Sequence, residues 1–202
     1  MFYTTDTNSH GMQHDPFKAI VAPRPIGWIG TKGRDGSINL SPYSFFNVVS
    51  DDPKIVMFSS SGRKDSLRNA EETGVFTTSL ASRDLAEQVN ASSIAVPYGT
   101  DEFAIAGLSA KRGEIVDAPY VAEAHAVLEC RVTEIIQPKT MDGGRATSFM
   151  VLGQVVGIHI SEFVIREGRI DMTLLRPIAR MGYRDFSDGG TDVFQLTRPN
   201  SR

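Results

Sequence analysis

Eight consecutive residues, Ser59-Ser60-Ser61-Gly62-Arg63-Lys64-Asp65-Ser66, gather four hydroxyls and two cations. They leave an apolar run and enter a segment of helical composition. Backbone N–H groups at a helix start lack intrahelical acceptors, and the dipole adds partial positive charge there. With hydroxyls and cations added, such a step suits a phosphate monoester. Each charge-assisted hydrogen bond would contribute about 1.5–3 kcal/mol. The same residue types also do ordinary capping, with Ser61 or Asp65 serving the helix. On this segment alone both readings stand. A second stretch, Arg24 to Asn47, holds Pro, Ser, Tyr and Asn in an extended path. Backbone polar groups left outside a regular ladder there are free to bond the edge of a flat heterocycle. The competing reading makes Trp28, Tyr43, Phe45 and Phe46 core or interface aromatics.

Other arrangements lack what their chemistry requires. Gly27, Gly30 and Gly33 lack the tight first G-x-G of a dinucleotide-binding turn, and no helix follows. His10 and His14 have zincin spacing, but Gly11 stands where a glutamate is needed and the segment is too polar for a firm helix. There is no G-x-S-x-G elbow and no Walker loop. No catalytic side chain and no metal ligand is assigned.

The elements that must position these residues follow from pattern. Ile26 to Thr31 and Ser37 to Ser41 flank Gly33-Arg34-Asp35-Gly36, a hairpin signal. Ser41 to Ser44 is expected to be irregular and extended. Lys54 to Ser60 reads as a buried strand and Lys64 to Thr73 as a helix, with Leu67 and Ala70 on one face and Gly74 as its stop. Val75 to Leu80 is a strand. Arg83 to Ala91 is a helix, and Asp101 to Ala106 a short helical turn. Ala124 to Ile136 and Thr147 to Ile160 form a long hairpin about Asp142-Gly143-Gly144. Glu162 to Arg166 is a short helix. Six strands with helices that do not alternate with them favour an antiparallel barrel carrying peripheral helices.

Composition sets bounds. The 202 residues suit one domain, with a core of about 17–183, a loose arm at 1–13 and a loose tail at 187–202. The formal net charge of −3 argues against holding nucleic acid by charge. Cys130 is the sole cysteine, so no disulfide forms within the chain. The start has no signal-peptide pattern, and the apolar runs are as short as Ile55 to Phe58, far below a membrane span. The expectation is a cytoplasmic protein with no membrane or nucleic-acid partner.

The order and spacing of several motifs resemble those of the FMN-binding split-barrel, flavin reductase-like family. They are Arg24-Pro25-Ile26-Gly27-Trp28-Ile29, Asn39-Leu40-Ser41-Pro42-Tyr43-Ser44-Phe45-Phe46-Asn47 and Asp52-Pro53. Lys64-Asp65-Ser66 with Asn69 comes next, where the family pattern has Thr for Ser66. Gly153 to Ile160 and Leu175-Arg176-Pro177-Ile178-Ala179-Arg180-Met181-Gly182-Tyr183 complete it. The resemblance implies a six-stranded Greek-key split barrel, a homodimer, and one FMN per protomer near the interface. Carried over by position, Ser41, Pro42, Tyr43 and Ser44 lie along the isoalloxazine ring with Asn47 close by. Ser59, Ser60, Ser61, Arg63, Lys64 and Ser66 hold the phosphate end. Ser79 departs from the family's usual Asn, which bears on any side-chain amide contact there. His159 is read as a hydrogen-bonded strand histidine or as a residue of the site. The implied activity is hydride transfer from NADH or NADPH to flavin, with a small-molecule or protein acceptor. The alternatives are an FMN-binding electron carrier without direct NAD(P)H activity and a non-catalytic binding module.

Overall fold

A computed structural model describes residues 1–199. Seven strands form its main sheet. They are β1 Gly27–Lys32, β2 Ile38–Tyr43, β3 Phe46–Asp51, β4 Lys54–Ser61, β5 Val75–Leu80, β6 Ala126–Ile136 and β7 Ser148–Ile160. Their order is β2-β1-β5-β6-β7-β4-β3, with every pairing antiparallel. The two outermost strands, β2 and β3, are consecutive in the chain and are joined by Ser44 and Phe45. The sheet therefore curls until its edges meet at that corner. There Ser59 N–H donates to the Phe45 carbonyl at 2.8 Å, and the Tyr43 and Phe58 rings lie 4.9 Å apart. This is the expected mainly β split barrel.

The expected strands are all present, with small boundary shifts. The seventh, β3, was not expected, because Asn47, Val48 and Val49 are exposed and show no inward alternation. Only its register against β4, Phe46 opposite Phe58 and Asp51 opposite Lys54, makes it a strand. Ser41 to Tyr43, expected to be irregular, continues β2 instead, with Pro42 opposite Trp28. An edge strand tolerates proline because its outward side has no ladder partner to lose. The irregular residues are Ser44 and Phe45 alone.

Side-chain alternation splits the core along β1, which is buried on both faces. Trp28 enters one cluster with Leu40, Val89 and Phe103. Ile29 enters the barrel interior with Tyr43, Phe58, Phe76 and Val151. The helix α1, Asp65–Thr73, adds Leu67 and Ala70 to that interior, on the expected face. Gly27 has no side chain because the Phe46 ring occupies the space a Cβ would fill.

Elsewhere the expected helix at 83–91 is a 3-10 turn, Arg83–Leu85, followed by α-helix Ala86–Ala91. The turn at 101–106 is a helix, Glu102–Ile105, capped by Asp101 through Phe103 and Ala104 N–H. The helix expected at 162–166 is replaced after Val164 by a small strand pair, Ile165–Arg166 with Arg169–Ile170. Gly168, with φ +72, makes its turn. The arm places His10 in a buried position, and His14 lies 5.5 Å from the Tyr183 ring. The loose tail expected from 187 begins instead in a strand, Phe186–Asp188, paired to Ile178–Arg180. Residues 200–202 of that tail lie outside the described residues. No helix among the described residues is long and apolar enough to cross a membrane.

Candidate functional site

Two elements come together, the β4–α1 step and β2, which meet through Asn39 and Ser66 and through Tyr43 beside Ser60. Gly62, with φ +81, turns the chain out of β4, a conformation strained for any L side chain. Its N–H donates to the Thr147 carbonyl at 3.1 Å, and Ser60 Oγ donates to its carbonyl at 2.9 Å. Lys64 then holds the N-cap position in an extended conformation, and no side chain caps the helix. Neither Ser61 nor Asp65 does the capping that the alternative reading required. Intrahelical bonding begins at Arg68 N–H to the Lys64 carbonyl, 3.0 Å. The N–H groups of Asp65, Ser66 and Leu67 are thus left without intrahelical acceptors.

The candidate phosphate residues divide between two faces. Along β4 the buried positions are Val56, Phe58 and Ser60, so Ser60 faces the barrel interior. Ser59 and Ser61 point to the other face, half-buried and exposed. The two neighbouring cations also differ. Arg63 is paired with Glu71 and lies 5.5 Å over the Phe149 ring. Lys64 is exposed and makes no ion pair among the described residues. Burial pushes the Asp65 carboxyl above its ordinary value, against the opposing pull of Arg68.

Ser66 is buried, and its Oγ accepts from Asn39 Nδ2 at 2.9 Å. Asn69 Nδ2 donates to Thr31 Oγ1 at 3.1 Å, so the helix is stitched to β1 and β2. Near Ser66 lies Tyr43, 8% exposed, whose buried hydroxyl has no hydrogen-bond partner among the described residues. Burial raises its phenol above the ordinary value, while the nearby Ser66, Ser60 and Ser41 hydroxyls oppose that rise. An orphaned buried hydroxyl costs roughly 1–3 kcal/mol, so the unpartnered Tyr43 hydroxyl is a place where a ligand atom would be stabilising. The structure thus brings Ser41, Tyr43, Ser60 and Ser66 together beside an uncapped helix start. These features fit a flavin phosphate.

Other candidates are placed differently. Pro42 is half-buried in the ladder. Ser44 is half-buried at the corner and lines a cleft with Arg24, Arg180 and Tyr183. Asn47 is exposed, and its Oδ1 accepts from Val48 N–H at 2.8 Å. Trp28 is fully buried, with Nε1 donating to Ser92 Oγ at 2.8 Å, so its core reading holds. Ser79 Oγ accepts from Val121 N–H at 3.1 Å and is 1% exposed, so its hydroxyl already serves the core.

His159 also has a structural partner. Its Nε2 lies 2.6 Å from Glu129 Oε1. Glu129 is fully buried and accepts from the N–H groups of Glu114, Ile115 and Val116 at 2.7–2.8 Å. Burial pushes its carboxyl up, but His159 and the three N–H groups prevail and hold it at about 2. The sequence offered no sign of this cluster, since the loop 114–116 reaches Glu129 only in the folded chain.

Against known proteins, the model of the "flavin reductase like domain" matches residues 21–172. The chain belongs to the flavin reductase-like family. A relative from Halalkalibacterium halodurans, carried as an uncharacterized protein, is 34% identical over 184 residues, covering 89% of this chain and 87% of its own. The crystal structure of nitrilotriacetate monooxygenase component B from Bacillus cereus is similar with a TM-score of 0.85 and 27% identity, over 97% of this chain and 98% of that one. Flavoredoxin of Desulfovibrio vulgaris (Miyazaki F) shares the fold with a TM-score of 0.74 and 24% identity, over 87% and 91% of the two chains.

Proposed function

We propose that the chain is an FMN-binding oxidoreductase that takes a hydride from NADH or NADPH and passes electrons to an acceptor. The observation that carries this is the uncapped start of α1 beside Lys64 and the Tyr43 hydroxyl, neither of which has a partner among the described residues. Membership of the flavin reductase-like family supports it.

In this reading the first-turn N–H groups of Asp65, Ser66 and Leu67, with Lys64, Arg63, Ser59 and Ser61, hold the phosphate. Ser60, Ser66 and Tyr43 line the inner side of that end. The backbone of Ser41 to Ser44, with Asn47 beside it, follows the ring edge. Bound FMN supplies a ring able to accept a hydride. The chain's tasks are then to fix that ring, to aim N–H donors at the edge where negative charge develops, and to leave one face open. No acid–base dyad is needed. The same reading includes a homodimer, for which the exposed apolar residues Val48, Val49, Ile158, Ile160 and Phe163 offer surface.

The test is the visible spectrum of the purified protein with FMN added, before and after NADH or NADPH, together with steady-state NAD(P)H oxidation. Flavin absorbance that co-elutes with the protein and bleaches with the nicotinamide is expected. Co-eluting flavin with no oxidation above buffer would make the chain an electron carrier. No bound flavin would end the reading and leave a binding module of another kind.

A further inference from the structure

The barrel interior is not filled along its whole length. Strand register places Gly27 opposite Leu80, Thr78 opposite Leu128 and Phe76 opposite Cys130, so these residues share the inner face. Around Phe76 that face is packed by Phe58 and Val151. Two residues beyond Leu128 the side chain is only Ala126, and the space above Gly27 is taken by the Phe46 ring. A pocket of about 210 Å³ is left there, at the mouth of the barrel, with Thr78, Leu80, Ala126 and Leu128 among its lining. Phe46, Pro25, Pro177 and Ile178 wall it. The walls are tied to the sheet by backbone contacts: Ile178 N–H donates to the Ala81 carbonyl at 2.9 Å, and Pro25 pairs with Ala179. Across β6, Leu128 and Ala126 lie opposite Ile158 and Ile160, so the mouth opens beside the surface offered above for a second copy.

The chemistry of the lining decides what can enter. None of the twelve described residues that line the pocket carries a charge. Thr78 and Ser79 bring its hydroxyls, and Ser79 Oγ already accepts from Val121 N–H at 3.1 Å. A charged or strongly polar ligand would give up its hydration with little in return. Water fares no better, because a buried water needs two to four polar partners. An apolar molecule gains the dispersion contacts that the empty mouth lacks. Size narrows the class further. An apolar cavity of about 150 Å³ is enough for benzene, and larger ligands occupy sites of roughly 300–1,000 Å³. The volume therefore suits one ring, not the three fused rings of a flavin.

We propose that the barrel mouth binds one uncharged six-membered carbocycle, and that such a ring is the part of the electron acceptor this chain selects. Phe46 follows the corner residues Ser44 and Phe45, so the mouth adjoins the segment assigned above to the flavin ring edge. The acceptor role rests on that flavin reading; the ring site itself does not.

The test titrates the full chain with toluene by calorimetry, with and without saturating FMN, and compares benzoate and naphthalene. Toluene is expected to bind with a Kd below about 1 mM, and benzoate and naphthalene at least tenfold more weakly. Ala126→Leu fills the mouth and should weaken toluene at least tenfold. Leu80→Ala enlarges it and should admit naphthalene, which keeps the proposal testable if the filled variant does not fold. Toluene affinity should change less than about twofold when FMN is bound. No toluene binding by the wild type, benzoate bound as tightly as toluene, or equal toluene affinity in wild type and a folded Ala126→Leu chain overturns the proposal. Displacement of toluene by FMN also overturns it, by giving the mouth to the flavin ring while the flavin reading stands. Variant-sensitive toluene binding by a chain that takes no FMN keeps the ring site and removes the flavin reading, and the acceptor role with it.

Discussion

Lys64 and Arg63 are adjacent cations with different fates, and the difference predicts different mutants. Arg63 is neutralised by Glu71 and stacked on Phe149, whereas Lys64 has no counterion among the described residues. Lys64→Ala is expected to weaken FMN binding by about 1.5–3 kcal/mol with the fold intact, measured by quenching of flavin fluorescence. The orphaned Tyr43 hydroxyl gives the opposite sign in the free protein. Tyr43→Phe should raise the stability of the FMN-free chain by about 1 kcal/mol in urea melts while lowering FMN affinity. The Glu129 cluster makes a pH prediction. Its carboxyl sits at about 2 in the folded chain against 4.5 for a free glutamate. Because the folded value is depressed, its contribution is fully present above pH 4.5 and is lost as the pH falls toward 2. The shift corresponds to roughly 3 kcal/mol. Glu129→Gln should lower the neutral-pH midpoint and flatten the acid limb of the stability profile. An unchanged acid limb would remove Glu129 as its source.

At the scale of elements, the site depends on where a strand stops and a helix starts. Gly62 permits the turn, Asn39 to Ser66 and Asn69 to Thr31 fix the helix against β2 and β1, and the missing cap leaves its first turn open. A capped helix would be more stable by about 1 kcal/mol, so an uncapped start is a local cost carried at the candidate site. The corner between β2 and β3 depends in turn on Gly27, whose missing Cβ lets Phe46 lie over β1. Gly27→Ala is expected to cost about 1–3 kcal/mol by overpacking, and to weaken FMN binding as the corner shifts. Chemical denaturation and FMN titration of one variant read both effects. Loss of stability with unchanged FMN affinity would separate this corner from the site.

For the whole molecule, the remaining question is what covers its exposed apolar surface. Ile158 and Ile160 on β7 are 51% and 43% exposed, and Val48 on β3 is 64% exposed. A homodimer in sedimentation equilibrium, converted to monomer by Ile158→Glu, is the expected outcome. A wild-type monomer at micromolar concentration would refute it. The barrel also explains why distant segments act together. Pro25, Phe46 at the corner and Ile178 are far apart in the chain, yet all three line the barrel mouth.

Much of this was readable in the sequence because period-two burial, the turn at 33–36 and the helix stop at Gly74 are local effects of neighbouring residues. Six strands, the helix face of Leu67 and Ala70, and the serine-rich cationic step followed from them. What sequence could not reveal depends on contacts between distant residues. β3 exists through its register with β4, Glu129 is satisfied by a loop that begins fifteen residues upstream, and the walls of the barrel mouth come from opposite ends of the chain. Local chain chemistry chose the elements. Closure of the barrel chose which hydroxyls and charges were left without partners, because pairing across space is settled only when every strand has found its neighbour.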